Sequence, residues 1–299
     1  MSDYVLKTYD KGYEDIQEKV GIKVANNWIN AHQTSADRLK EVYSQPEFDP
    51  ETRHYCFKGD KMVGFLTSKV LEEKEGEPKK ASLVFPSVLH GHEEATDMLI
   101  EKALNTLKSK GVEEIETYAS ALCGNQVELA NKYGFTYVKD TDNIVFTLKV
   151  ENIDENVSKG SIRKFDNEKD LDAWLELVKK YDDYNEEQLE RITKEIVEDL
   201  DSELTLGHFV IEEDGEIVGT SLVYRNPIKP NAANLAHTYF KDPKYLEQLI
   251  AKAAKVAKKE NIDYFLIWLF GNRLPFKKDF AQLNTNYAQP YATLFKKKL

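Results

Sequence analysis

A short loop rich in histidine and acid is the segment of this chain best suited to hold an anion. It reads Leu89-His90-Gly91-His92-Glu93-Glu94-Ala95 and stands directly before a strongly helical segment. Backbone N–H groups at a helix N-terminus point toward negative charge, so such a loop can hold a phosphate. The carboxylate of Glu93 would compete for the same N–H groups. The loop therefore predicts either an anion site, with His90 and His92 partly compensating for Glu93, or an acid-capped helix alone.

Three hydroxyl-bearing side chains near the middle of the chain could move a proton. Tyr118 and Ser120 lie at the end of a predicted strand, and Tyr133 follows a short predicted helix. A positioned hydroxyl can protonate a leaving group. Each residue also fits ordinary packing, and the sequence leaves both interpretations open. Cys123 has no histidine near it in sequence, so a thiol nucleophile is not indicated.

Metal and disulfide chemistry are not predicted. The two cysteines, Cys56 and Cys123, lie far apart without a Cys-x-x-Cys spacing, and the histidines show no ligand spacing. Trp28, Trp174 and Trp268 lie in apolar patterns that are typical of a core. These features fit a protein of the reducing cytoplasm.

Composition predicts a soluble globular protein. The 299 residues are 41% hydrophobic and 31% charged, and at roughly 150 residues per domain the length favours two domains. The net charge of -11 is divided almost evenly between the two halves, so nucleic acid is not an expected partner. No run approaches 18 apolar residues, and the N-terminus lacks a signal-peptide pattern. Neither secretion nor membrane spanning is expected.

The sequence repeats itself, which predicts duplicated architecture. Leu99-Ile100-Glu101-Lys102-Ala103 returns as Leu249-Ile250-Ala251-Lys252-Ala253, and Gly59-Asp60-Lys61-Met62-Val63-Gly64 matches Asp214-Gly215-Glu216-Ile217-Val218-Gly219. We therefore expect a first domain over residues 1–150, a polar linker over 151–160 and a second domain over 161–299.

Each copy shows the same order of predicted elements: a strand, two helices (near 14–31 and 34–44 in the first copy), a hairpin, a strand, a long helix and another strand. The first copy then predicts a short helix over Gln126–Lys132 and final strands near 135–139 and 143–149. The second copy predicts an irregular segment over 283–289 and a final strand near 290–297. The long helices are predicted to end at Gly111 and Asn261.

This order resembles the GNAT superfamily of N-acetyltransferases, and two copies resemble a tandem member. The first copy carries the resemblance in Val84-Phe85-Pro86 before the loop and in Leu129-Ala130-Asn131-Lys132-Tyr133-Gly134-Phe135 after Asn125. The resemblance implies an α/β (α+β) fold with two tandem GNAT-like domains. Each would have a mixed, mostly antiparallel central sheet flanked by helices.

The resemblance also implies an acyl-CoA cofactor, acetyl-CoA above all, in the first domain. Its pantetheine arm would lie against the backbone of the strand 81–86. The implied cofactor-binding residues are Leu83, Val84, Phe85, His90, Gly91, His92, Glu93, Glu94, Ala95 and Asn125. Asn125 fits equally well as a helix cap. The second copy's loop, Phe240-Lys241-Asp242-Pro243-Lys244, has no glycine and is expected to hold no cofactor.

The expected function is acyl-CoA-dependent N-acyl transfer, most simply acetyl transfer, to an amine of a small molecule or peptide. Two departures from the family pattern favour an alternative: Glu93 replaces a glycine, and Ala130 replaces the family's tyrosine. The alternative is a catalytically inactive protein of the same fold that acts as a binding or interaction module. An aminoacyl-tRNA donor is disfavoured by the acidic charge. A monomer and a homodimer both remain open.

Overall fold

Two compact units make up the chain, and the first is built from two separate stretches of sequence. The computed structural model describes residues 3–157, 162–182, 184–200, 202–283 and 287–299. The first unit comprises residues 1–141 and 291–299, and the second comprises residues 142–290. The chain therefore passes into the second unit and returns to the first unit at its C-terminus.

The elements follow the chain in the repeated order. The first unit contains β1 (Tyr4–Thr8), α1 (Glu14–Ala25), α2 (Ala36–Tyr43), β2 (Arg53–Lys58), β3 (Lys61–Val70), β4 (Lys80–Val88), α3 (Glu94–Ser109), β5 (Glu114–Ala119), α4 (Gln126–Lys132) and β6 (Thr136–Asp140). The second unit contains β7 (Ile144–Lys149), β8 (Ile162–Lys164), α5 (Asn167–Tyr181), α6 (Glu186–Asp199), β9 (Thr205–Glu213), β10 (Glu216–Arg225), β11 (Ala232–Phe240), α7 (Pro243–Lys259), β12 (Tyr264–Leu269), α8 (Lys277–Ala281) and β13 (Tyr287–Pro290). The last strand, β14 (Thr293–Lys298), belongs to the first unit.

The first unit is a mixed sheet between helices. Its strand order is β1-β2-β3-β4-β5-β14-β6, in which β4 and β5 pair in parallel and the other described neighbours pair antiparallel. Alternation along β4 directs Leu83 and Phe85 into a core with Leu99, Ala103 and Leu107, which recur every four residues along α3. α1 packs on β3 and β4 through a separate cluster around Val20.

The second unit repeats this plan. Its strand order is β13-β7-β12-β11-β10-β9-β8, and β11 and β12 form its parallel pair. Phe209 and Ile211 of β9 pack in one core with α7, while Val210 between them packs with Trp174 of α5. The period of two along β9 thus covers both faces of the sheet with helices. The predicted helix ends Gly111 and Asn261 both adopt positive φ, of +75° and +55°.

The two closing strands lie in the opposite units from those predicted. The sequence assigns 143–149 to the first domain and 290–297 to the second, whereas β7 lies between β12 and β13, and β14 lies between β5 and β6. The β14 register pairs Thr293 with Ala119 and Lys298 with Glu114. Both closing strands are only six residues long, so local pattern specifies a strand but not which sheet receives it.

The predicted domain boundaries change accordingly. The first boundary falls at 141–142 rather than at 150, because Val150 is buried in the core of the second unit. The predicted linker 151–160 begins with a 3-10 turn, Val150–Asn152, and residues 158–161 lie outside the described residues. β13 lies within the segment expected to be irregular, of which 284–286 also lie outside the described residues.

The described part of the chain contains no helix that combines the length and the apolar character needed to cross a membrane.

Candidate functional site

The parallel strands of the first unit separate toward their carboxyl ends. β4 and β5 pair over Lys80–Ser82 and Glu114–Glu116. Beyond Ser82, β4 carries a bulge in which Phe85 and Pro86 lie opposite the single residue Leu66 of β3. A bulge bends its strand and increases the local twist. The two strand ends are therefore held apart, with the N-terminus of α3 beside them.

A cavity of about 580 Å³ opens at this separation. Its wall comes from the end of α1 and the loop after it, the end of β4, the loop and first turn of α3, and the segment that follows β5. The lining residues are Lys23, Val24, Asn27, Trp28, Pro86, Val88, Leu89, His90, His92, Glu93, Thr96, Cys123, Gly124, Asn125 and Gln126. The size is that of a pocket for a small organic ligand.

The loop before α3 holds one of its own carboxylates. Glu93 Oε1 accepts a hydrogen bond from the Gly91 N–H at 2.9 Å, and this bond holds the pKa of the Glu93 carboxyl below its usual range. Gly91 has a φ of +84°, and a Cβ there would meet no atom within 4 Å. The left-handed backbone conformation, and not a lack of room for a side chain, is therefore the reason for glycine at this position. An amide that could receive an external anion is thus bonded to Glu93.

The two loop histidines lie on either side of this carboxylate. His90 Nδ1 is 3.3 Å from Glu93 Oε1, and its side chain is almost fully exposed. His92 Nδ1 and the Tyr4 hydroxyl are 2.8 Å apart and share a hydrogen bond. His92 therefore ties the loop to β1, whereas His90 is exposed to solvent.

Known proteins match this chain in structure and not in sequence. A scan against models of known protein families finds no match, and a search of curated proteins finds none either. Among solved structures, an acetyltransferase of the GNAT family from Colwellia psychrerythraea matches with a TM-score of 0.59 at 12% identity, over 99% of both chains. A tandem GNAT protein from the clavulanic acid biosynthesis pathway matches with a TM-score of 0.53 at 14% identity, over 99% of this chain and 98% of its own. A GCN5-related N-acetyltransferase from Sphaerobacter thermophilus matches with a TM-score of 0.52 at 13% identity, over 100% and 96%.

This chain has the tandem GNAT fold. The predicted fold class is confirmed: each unit has a mixed, mostly antiparallel sheet flanked by helices. At 12–14% identity the likeness is one of fold, so the function depends on what the cavity can do.

Within the GNAT fold, the residues predicted on β4 divide between its two faces. Leu83 and Phe85 are buried in the core, whereas the Val84 side chain is 56% exposed on the opposite face. None of these three side chains lines the cavity, which is bordered instead by the next residues, Pro86 and Val88. Any contact of 83–85 with a ligand would come from their backbone, as the sequence predicts.

The loop residues also separate by environment. Ala95 is fully buried in the first turn of α3, where it packs in the core. Glu94 is exposed and lies outside the cavity wall, while Glu93 lies on it. The sequence treats the two acids alike, and the structure distinguishes them.

Asn125 does not act as a helix cap. It occupies the N-cap position of α4, yet its side chain makes no capping hydrogen bond. Its exposed side chain lines the cavity. Of the two roles that the sequence leaves open, capping lacks the hydrogen bond that it requires.

Two of the three candidate proton donors are bonded within the protein. The Tyr133 hydroxyl donates to Asp97 Oδ1 at 2.5 Å, and burial together with this carboxylate raises the pKa of Tyr133 above its ordinary value. Ser120 is buried, and its Oγ donates to the backbone oxygen of Tyr291. Tyr118 is different, because its side chain is 59% exposed on the face of the sheet that Val84 shares.

The cavity thiol is not an activated nucleophile. Cys123 is buried, and its Sγ donates to the backbone oxygen of Asn30 at 3.7 Å. Burial raises the pKa of Cys123 to about 11, so the group is a protonated thiol at neutral pH. Among the residues that the structure describes, no group of three or more His, Cys, Asp or Glu side chains could hold a metal ion.

One wall of the cavity is not predicted by the sequence. The pattern suggests a helix over 14–31 with Trp28 in the core, but α1 ends at Ala25 and Trp28 lies half-buried on the cavity wall. A Cβ at Gly124 would lie 2.8 Å from Trp28 Nε1, so the indole packs directly against that glycine. The Asn26-Asn27 pair, which favours helix ends, is the signal that could have placed this turn.

Proposed function

We propose that the first unit is an N-acyltransferase that takes its acyl group from a pantetheine thioester such as acetyl-CoA. The single observation that carries the proposal is the separation of β4 and β5 beyond Ser82, which opens the cavity between their carboxyl ends. Two of the solved structures named above are described as acetyltransferases, and the shared fold supports acyl transfer in general.

The chain offers a suitable binding surface for the arm of such a thioester. Past Ser82, the edge of β4 that would face β5 has no paired partner among the described strands. The backbone N–H and C=O groups of 83–88 on that edge can bond the amides of a pantetheine arm, in the manner of strand addition. The side-chain amides of Asn27, Asn125 and Gln126 add neutral polar contacts, and the Trp28 ring supplies an apolar wall.

A bound thioester would supply an acyl group that an amine can attack at its carbonyl carbon. The new C–N bond forms as the C–S bond breaks, the amine loses a proton and the thiolate gains one. Tyr118 lies at the carboxyl end of β5, and its side chain is exposed and outside the cavity wall. Its hydroxyl is our candidate for moving a proton at the acceptor or the sulfur, because it is the one of the three predicted hydroxyls that makes no hydrogen bond to the residues that the structure describes. We assign structural roles to Tyr133 and Ser120, because their hydroxyls donate hydrogen bonds to other groups of the protein.

Calorimetric titration with acetyl-CoA and with S-acetylpantetheine tests the binding step. We expect the wild type to bind at least one of them, and Asn125→Phe to weaken binding by about tenfold or more, since the ring would fill the cavity. Glu128→Phe is the matched control: Glu128 is exposed on α4, outside the cavity wall, and should bind as the wild type does. Failure of the wild type to bind either thioester would overturn the proposal.

Acyl transfer is tested separately, by following free thiol released from the bound thioester in the presence of a panel of amines. Tyr118→Phe should slow the release while leaving binding intact, and Tyr133→Phe should leave both unchanged. Tight binding without thiol release for any amine would favour the second candidate function, an inactive binding module. The hydrogen bond from the Gly91 N–H to the Glu93 carboxylate is the observation that favours that candidate.

A further inference from the structure

Four of the amide donors of the loop before α3 and its first turn, those of Gly91, His92, Ala95 and Thr96, are bonded within the protein. The Gly91 N–H donates to the Glu93 carboxylate at 2.9 Å. The N–H groups of His92, Ala95 and Thr96 donate to the carbonyl oxygens of Leu89, His92 and Glu93 at 3.2, 2.9 and 3.0 Å. A phosphate at this loop would therefore have to displace a carboxylate that is already bonded there.

Charge adds to this competition. A carboxylate and a phosphate that share one set of amides repel each other, and the repulsion grows with the charge of the phosphate group. The basic side chains that line the cavity are the exposed Lys23 and the histidines His90 and His92, of which His92 is tied to Tyr4. One exposed lysine offsets only a small part of the negative charge of a diphosphate.

The rest of the cavity places no such demand on its ligand. Away from the loop, its wall carries the neutral amides of Asn27, Asn125 and Gln126 and the indole of Trp28. These groups suit the amide-bearing pantetheine arm, which is uncharged.

From this contrast we infer that Glu93 determines the donor class, so that the site prefers an acyl-pantetheine thioester without the diphosphate of coenzyme A. The inference rests on the proposed function, because it concerns the donor of the same cavity. Glu93 acts as a specificity-determining residue: its carboxylate occupies the amide that a diphosphate would use, and the neutral part of the ligand is left to supply the affinity.

The test compares two ligands across four proteins by calorimetric titration. The ligands are S-acetylpantetheine and acetyl-CoA, and the proteins are the wild type, Glu93→Ala, Glu93→Gln and Glu94→Gln. Glu93→Ala removes both the charge and the hydrogen bond, whereas Glu93→Gln removes the charge and keeps an acceptor oxygen. Glu94→Gln is the matched control, because it removes the same charge from the next residue, which is exposed and lies outside the cavity wall.

We expect the wild type to bind S-acetylpantetheine at least as tightly as acetyl-CoA. Glu93→Ala should raise the affinity for acetyl-CoA by about tenfold, with a smaller gain for Glu93→Gln, while the affinity for S-acetylpantetheine stays within about twofold. Glu94→Gln should leave both affinities unchanged.

Two other results have different meanings. Tighter wild-type binding of acetyl-CoA than of S-acetylpantetheine, with a ratio that Glu93→Ala does not change, would overturn the role of Glu93 and leave the proposed function intact. Absence of binding of both ligands to all four proteins would overturn the proposed function itself. Circular dichroism melting of each variant checks that the fold is retained, which the exposed position of Glu93 favours.

Discussion

The two units share a backbone plan but differ in what lies between their parallel strands. In the second unit, β11 carries the bulge that β4 carries in the first, with His237 and Thr238 opposite Ser221. β11 and β12 pair over Ala232–Asn234 and Tyr264–Leu266, as β4 and β5 pair over three residues each. The first unit has an open cavity at this point, whereas the second has a buried ion pair.

That ion pair lies among the equivalents of three of the elements that border the cavity of the first unit. Arg273 follows Gly271-Asn272 as Gln126 follows Gly124-Asn125, and Asp182 follows α5 as Asn26 follows α1. Arg273 Nε lies 2.8 Å from Asp182 Oδ1, and Tyr239 of β11 donates to Asp182 Oδ2 at 2.5 Å.

Aromatic rings fill the rest of the space between the parallel strands of the second unit. The Arg273 guanidinium lies 3.9 Å from the centre of the Phe270 ring, and the Phe276 ring lies 4.5 Å from that of Phe240. A bulge and a parallel pair are therefore not enough to make a binding cavity. Side chains at the end of the first helix and after the second parallel strand decide whether the space is open or filled.

The largest effect is expected from removing the ion pair that fills this space in the second unit. Arg273→Ala leaves Asp182 buried without its cation, which should lower the free energy of unfolding of the second unit by about 3–5 kcal/mol. Urea unfolding, followed by circular dichroism, measures the loss. Lys277→Ala, an exposed cation four residues later, is the control and should change it by less than about 0.5 kcal/mol.

The double variant Arg273→Met/Asp182→Asn sharpens this prediction. It removes both charges, so it should be more stable than Arg273→Ala. A cost for Arg273→Ala below about 1 kcal/mol would show that the pair fills space without depending on its charge.

Much of this contrast could be expected from the sequence, but its detail could not. The repeat predicts two units, and the short helix α4 is predicted at its observed bounds, Gln126–Lys132, because local apolar periodicity and turn residues specify such elements. The glycine-free loop Phe240–Lys244 signals that the second unit differs. The ion pair between Arg273 and Asp182 could not be predicted, since these residues are far apart in sequence and neither belongs to a motif.

The same limit explains the two other failures. β7 and β14 each lie between two other strands of a sheet, and the local pattern of a six-residue strand is compatible with either sheet. The cavity wall at Lys23 and Trp28 depends on where α1 ends, and helix ends are set within a few residues by caps and tertiary contacts.

Acid pH should weaken both units through buried neutral histidines. Burial lowers the pKa of His208 in the second unit to about 3 and that of His54 in the first unit to about 4. In the unfolded chain both titrate near 6.5, so between pH 6.5 and 4 the unfolded state binds protons that the folded state does not. Stability is therefore full above pH 6.5 and falls as pH decreases, by about 2–3 kcal/mol for each histidine at pH 4.

Unfolding free energies measured from pH 7 to pH 4 test this prediction. His208→Gln should reduce the pH dependence of the second unit without abolishing it, because burial also lowers the pKa of His237 in that unit to about 3. His32→Gln, at an exposed position, should leave it unchanged. A pH profile that is identical in the wild type and His208→Gln would mean that His208 is not the group that titrates.

The smallest effect is expected from substituting two equivalent asparagines, Asn125 beside the open cavity of the first unit and Asn272 in the second unit. Asn125→Ala should weaken binding of S-acetylpantetheine by about fivefold, the value of one neutral hydrogen bond, and should leave the free energy of unfolding almost unchanged because Asn125 caps nothing. Asn272→Ala, at the equivalent position of the second unit, should not alter binding. Equal weakening by the two variants, measured by calorimetric titration, would place the ligand outside the cavity of the first unit. Loss of stability in Asn125→Ala without loss of affinity would instead restore the structural role that the two asparagines share in sequence.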